Sequence, residues 1–175
     1  MKIVCIEPDR AAAHKLSEME ESAFPERRST RDPDDFIRFT SQLGASILGD
    51  ADLRSGFLML RLAAEEGEII DLGVVPDQRR QGVARKLVAE AAKVARQHGA
   101  QELFLEVDVQ NTPAKRLYAA TGFAEVGLRK GYYDHGQGNR SDALILRRSL
   151  QGLSQGNLAD VQNHCPGSIM PSSKS

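Results

Sequence analysis

The feature that most limits the folds open to this chain is a long amphipathic helix entered directly from a hydrophobic strand. From about Gly82 to His98 the apolar positions Val83, Ala84, Leu87, Val88, Ala91, Val94 and Ala95 recur three and four apart, as on one helical face. Gly99 is a natural stop. The run just before, Glu68 to Val75, reads as a strand. Such a helix needs a sheet to cover, and the rest of the sequence supplies the strands.

Helical and extended patterns alternate along the chain. Lys2 to Ile6 is a β-branched run suited to a strand. Asp9 can cap a helix through about Ser22, ended by Phe24-Pro25. Asp32-Pro33 opens a second helix that the pattern carries through Leu43 to Gly44. Ala45 to Leu48, Gly56 to Leu62 and Glu68 to Val75 read as successive strands with turns at Asp50 to Ser55 and Glu65 to Gly67. After the long helix, Glu102 to Val109 alternates as a strand, and Thr112-Pro113 starts a helix closed by Gly122. Two last extended runs, Phe123 to Leu128 and Ala143 to Arg148, flank a Gly/Asp/Asn-rich turn. The expectation is an α/β sandwich: a mixed sheet with about four helices.

Composition narrows the class. Lys plus Arg is 23 and Asp plus Glu is 24, a net charge of −1, which argues against a nucleic-acid-binding field over the whole molecule. The longest apolar runs are four residues, far short of the about 20 of a membrane span, so no membrane role is expected. Cys5 and Cys165 lie at opposite ends, in no metal-ligand spacing, and read as unpaired thiols. His14, His98, His135 and His164 share no metal-site spacing either, so no metal is expected. The chain reads as cytoplasmic, a monomer or weak dimer. Residues 151–175, Ser-rich and without aromatics, read as a disordered tail, leaving 1–150 as the folded domain.

Chemistry concentrates where the strand meets the long helix. Arg79, Arg80, Arg85 and Lys86 place four cations within eight positions with no acid among them. Cations at a helix N-terminus oppose its dipole, and a bound anion would give them a purpose. Gly82 and Ala84 let a ligand approach the backbone, although a solvated basic turn is the plainer reading. Neither G-x-x-x-x-G-K-[ST] nor G-x-G-x-x-G after a strand is present.

Arg79-Arg80-Gln81-Gly82-Val83-Ala84 resembles the [Q/R]-x-x-G-x-[G/A] signature of the GNAT superfamily of N-acetyltransferases. Leu105 to Asn111, Leu117-Tyr118-Ala119-Ala120-Thr121-Gly122-Phe123 and Gly131-Tyr132-Tyr133 look most like its RimI branch, which acetylates the N-terminal alanine of a small-subunit ribosomal protein. The likeness is dense from about Glu68 to Tyr133. It implies a GNAT fold, with a mostly antiparallel sheet of six to seven strands, and acetyl-CoA as acetyl donor. The backbone of Leu72, Gly73 and Val74 would pair with the pantetheine arm. Arg79, Arg80, Gln81, Gly82, Val83, Ala84 and Arg85 would wrap the pyrophosphate, and Asn111 would bind the cofactor. Glu106 falls on the general base and Tyr118 on the general acid. The implied partner is a protein or peptide N-terminus; a small-molecule amine and a non-catalytic CoA-binding module are the alternatives.

The residue types suit those roles. Glu106 lies mid-strand between Leu105 and Val107, where partial desolvation favours taking up a proton near neutrality. A carboxylate facing solvent is the plainer alternative. The Tyr118 phenol, with an ordinary pKa near ~10, stays protonated and can donate to a departing thiolate, or it can simply pack. The Val74 N–H, beside an expected bulge, is a candidate oxyanion donor. An α-amine of pKa about 8 needs only about 1 kcal/mol to be neutral at pH 7, whereas a lysine near ~10.4 needs nearly 5 kcal/mol. One carboxylate base therefore suits an N-terminal amine. Phe24, Tyr132 and Tyr133 are candidates to line the acceptor groove. The RimI branch often has Trp after Phe-Pro; here Phe24-Pro25 precedes Glu26-Arg27 and the chain has no Trp.

Overall fold

The computed structural model describes residues 1–27, 29–136 and 138–152. Its elements run β1 (Ile3–Ile6), α1 (Arg10–Ala23), α2 (Pro33–Thr40), β2 (Ala45–Asp50), β3 (Gly56–Ala63), β4 (Glu66–Val74), a 3-10 turn (Pro76–Gln78), α3 (Val83–Gln97), β5 (Glu102–Asp108), α4 (Thr112–Ala120), β6 (Ala124–Gly136) and β7 (Asn139–Ser149). Local chemistry sets the helix starts. The Asp9 carboxylate accepts from the Ala12 N–H at 2.8 Å, and Asp32 and Asp35 form a reciprocal capping box ahead of α2.

The strands form one seven-stranded sheet in the order β1-β2-β3-β4-β5-β7-β6. Every pairing is antiparallel except β4 with β5, the two strands joined by α3. Helix α3 seats Leu87, Val88 and Ala91 on one face against Leu58, Leu60, Ile69, Leu103 and Leu105. On the other face α1 and α2 bring Leu16, Met19, Phe36 and Phe39 onto Ile47, Phe57 and Met59. Because β3 is covered on both faces, its sequence is almost continuously apolar rather than alternating.

Three expectations are corrected. Helix α2 stops at Thr40, not Leu43, and Leu43 is exposed; Gly44, with φ +76°, turns the chain into β2. The two last strands are much longer than their apolar cores, and the Gly/Asp/Asn-rich stretch continues their ladder through register shifts up to the Gly136–Asn139 pair. Cys5 is disulfide-bonded, not an unpaired thiol. Distance along the chain carries no signal for such a pairing. The tail expected over 151–175 lies outside the described residues, apart from Gln151 and Gly152, which form a turn. No helix among the described residues is long and apolar enough to cross a membrane.

Candidate active site

The site follows from a break in the sheet. β4 and β5 pair only from Glu66–Glu102 to Ile69–Leu105, yet β4 runs on to Val74 and β5 to Asp108. In the β3–β4 ladder Met59 faces Asp71 while Leu60 faces Ile69, so Ile70 is an extra residue. That bulge comes where the parallel pairing ends, and a bulge bends its strand. The expected bulge near Val74 is therefore at Ile70. Past it, residues 70–74 and 106–108 form the two banks of a wedge. Their facing backbone groups, unsatisfied by each other, need a ligand or water.

At the end of the β4 bank the chain turns into α3. Lys86 N–H to Gly82 O, at 3.1 Å, is the first helical bond, so the amides of Val83, Ala84 and Arg85 lack intrahelical acceptors. Asp9, Asp32 and Asn111 cap α1, α2 and α4 with side chains, whereas α3 has no side-chain cap and no acid in its first turn. Arg80 and Gly82 both have positive φ, 63° and 80°, in the loop that leads into α3. A Cβ on Gly82 would meet nothing within 4 Å, so that side of the loop is open space.

Not every basic residue in the loop faces that space. Arg79 donates from Nη2 to the Ala23 carbonyl at 2.9 Å and from Nε to the Val74 carbonyl at 3.2 Å. It ties the end of α1 to the end of β4 while staying exposed, as Arg80, Arg85 and Lys86 also are. Gln81 Nε2 is likewise held by the Asp77 carbonyl, at 2.8 Å. The Leu72 N–H points to Asp71 Oδ1 at 2.9 Å. Gly73 is small for a packing reason: a Cβ there would lie 2.7 Å from the Phe57 ring and 3.1 Å from both Ala23 and Phe24. Asn111 Oδ1 accepts from the Ala114 N–H at 3.1 Å, so its amide nitrogen is the group left for a ligand.

Glu106 stands on the β5 bank. Its side chain is 23% exposed and lies 3.2 Å from Arg129 Nη1. Arg129 also covers the Tyr132 ring at 4.3 Å, and Tyr132 in turn packs edge-on to Tyr133. The Tyr133 hydroxyl is 3.4 Å from the Glu106 carbonyl oxygen. Burial first, then the charges of Glu106 and its neighbours, push the Tyr133 phenol up to about 12. Tyr118 is buried beside Phe123 with ring centroids 5.6 Å apart. Burial, then the Asp71 charge, raises the Tyr118 phenol beyond the ordinary tyrosine range, so it stays protonated. Both phenols thus keep their hydroxyl protons near neutrality.

Two clusters beside these residues carry no local motif. Ser141 Oγ lies 2.6 Å from Asp108 Oδ2 and 2.7 Å from His135 Nε2, which is itself 2.9 Å from the same carboxylate oxygen. All three meet at one imidazole nitrogen, whereas a Ser-His-Asp relay uses both, so this is a hairpin clasp and not a nucleophile. The second cluster joins Glu20, Arg27, Arg31 and Asp71. The signal for either lies in pairings across the sheet, not in spacing along the chain.

A sequence profile of the acetyltransferase (GNAT) family matches residues 13–123, from α1 to just past α4. The chain belongs to the GNAT family. The matched region contains both banks of the wedge and the loop at the start of α3. Among curated relatives, [ribosomal protein bS18]-alanine N-acetyltransferases of Haemophilus ducreyi and Escherichia coli are each 33% identical, over 90 and 92 residues. These matches cover 51% and 53% of this chain and 62% of each relative, so the likeness spans under two thirds of their length. An N-alpha-acetyltransferase of Saccharolobus solfataricus is 33% identical over 97 residues, 55% of this chain and 56% of that one. Of solved structures, the Escherichia coli ribosomal-protein alanine N-acetyltransferase gives a TM-score of 0.71 at 21% identity, covering 89% of this chain and 99% of that one. A Salmonella typhimurium protein solved with its cofactor acetyl-CoA gives 0.70 at 17%, covering 90% and 99%. At those identities the likeness is one of fold, and the GNAT fold is what the seven strands and four helices form.

Proposed function

We propose that this GNAT protein transfers the acetyl group of acetyl-CoA to the N-terminal α-amine of a protein, with the N-terminal alanine of a ribosomal protein as the leading acceptor. The observation that carries the reading is the β4–β5 wedge, with Glu106 on one bank and the uncapped start of α3 at the end of the other. In this reading the backbone of Leu72, Gly73 and Val74 pairs with the pantetheine arm, Leu72 chiefly through its carbonyl. The amides from Arg80 to Arg85 take the pyrophosphate, helped by the exposed Arg80 and Arg85. Asn111 contributes its amide nitrogen, and Arg79 acts through its backbone, its guanidinium holding α1 to β4. The folded catalytic unit is residues 1–150, working in the cytoplasm.

The thioester is already activated, so the protein has little to do beyond positioning and proton transfer. Glu106 takes a proton from the amine as its nitrogen bonds to the acetyl carbon, and the Val74 N–H faces the developing oxyanion. The carbon–sulfur bond then breaks, and Tyr118 gives the sulfur a hydrogen bond and a proton. The N-terminal acetyltransferases among the relatives support an α-amine acceptor. The test is acetyl transfer to alanine-led peptides beside polyamines and aminoglycosides. Turnover on the peptides is expected; turnover on small amines alone contradicts the protein acceptor, and CoA binding without any transfer contradicts catalysis.

A further inference from the structure

Two of the most buried carboxylates take no part in the chemistry above. The side chains of Glu20 on α1 and Asp71 on β4 are 2% and 7% exposed, and two guanidiniums from the chain between α1 and α2 close on them. Arg27 grips Asp71 with a fork, Nη1 to Oδ2 at 2.7 Å and Nη2 to Oδ1 at 3.0 Å, and reaches Glu20 Oε1 at 2.8 Å. Arg31 donates from Nη1 to Asp71 Oδ2 at 2.8 Å and also to Glu20, and its backbone N–H meets Glu20 Oε2 at 2.7 Å. Two negative and two positive groups leave the cluster neutral. Such forks fix direction as well as distance.

The position of this cluster ties it to the wedge. Asp71 directly follows the bulge at Ile70, where β4 leaves β5. Arg27 lies over the Phe24 ring, 3.6 Å from its centroid, and Phe24 packs against Gly73 on the same bank. Tyr133, on the far side, feels the charges of both Glu106 and Asp71. We propose that Asp71 is a positioning residue for the acceptor: through Arg27 and Arg31 it fixes Phe24 against β4 and so shapes the wall along which the acceptor reaches Glu106. This rests on the acetyltransferase reading for its kinetics but not for its geometry.

The test compares the full chain with Asp71→Asn and with Arg27→Lys, which keeps the charge and removes the fork. For each, the peptide KM, kcat, acetyl-CoA affinity and amide exchange at Arg31 are measured. The expected result is a peptide KM raised about tenfold or more, with kcat and acetyl-CoA affinity changed less than about threefold. Exchange at the Arg31 amide should quicken about tenfold while α3 keeps its protection. Unchanged peptide KM, or peptide and acetyl-CoA affinities falling together, overturns the proposal. Where Asp71→Asn does not fold, Arg27→Lys carries the same test. If the unaltered protein acetylates no peptide, the functional reading fails, and unchanged Arg31 exchange is then what overturns the positioning role.

Discussion

Asp71 shows how one residue can be invisible in a sequence and decisive in a fold. Burial alone pushes its carboxyl up, but hydrogen bonds and charge from Arg27, with those of Arg31, outweigh this and hold it below the usual carboxylate range. Its partners lie 44 and 40 positions away, so no spacing rule announces them. Glu106 and Tyr118 stand out as candidates in the sequence because their motifs are local, yet the Arg129 partner of Glu106 comes from a strand 23 positions on. Since the folded Asp71 value lies below the unfolded one, near ~3.9, its contribution is complete above about pH 4 and is lost as pH falls through the folded value. Asp71→Asn should cost about 2 kcal/mol near pH 7, less than a fully enclosed pair because both guanidiniums stay partly exposed. It should also lose less further stability on acidification. Urea unfolding across pH 2–7 measures both (about five pH units span the window), and identical acid slopes in the two proteins would contradict the account.

At the level of elements, helix starts were readable, whereas the bulge expected beside Val74 lies at Ile70. Asp9, Asp32 and Asn111 accept from amides within a turn, and Pro33 and Pro113 sit in the first turns of α2 and α4, so these starts are announced locally. The bulge at Ile70 exists only relative to β3, and the extended β6–β7 hairpin only relative to its own partner strand. In the proposed function, cofactor binding turns on the start of α3. Gly82 has φ +80° with open space where a side chain would project. Gly82→Ala should therefore cost about 1 kcal/mol of stability from backbone strain, a Tm drop of about 2–4 °C. The same change should weaken CoA binding about tenfold or more, because the added methyl occupies the phosphate side of the loop. Calorimetric titration that finds CoA affinity unchanged would remove this loop from the site.

At the scale of the molecule, two helical layers cover one sheet in which the parallel β4–β5 ladder ends at Ile69–Leu105, before either strand does. The near-zero net charge hides this arrangement, because the uncompensated cations sit together at the start of α3. The order of elements and the apolar face of α3 were legible from the sequence pattern. The wedge was not, because it arises from pairing that ends early. Fold and family are shared with enzymes that act on many amines, so the site must decide the chemistry. The most direct measurement is the pH dependence of acetyl transfer to an alanine-led peptide by the unaltered protein and by Glu106→Gln. The account predicts a loss of about 100-fold or more, greatest at low pH where the amine is most protonated, with acetyl-CoA affinity retained. Equal rates for the two proteins across that range would contradict it.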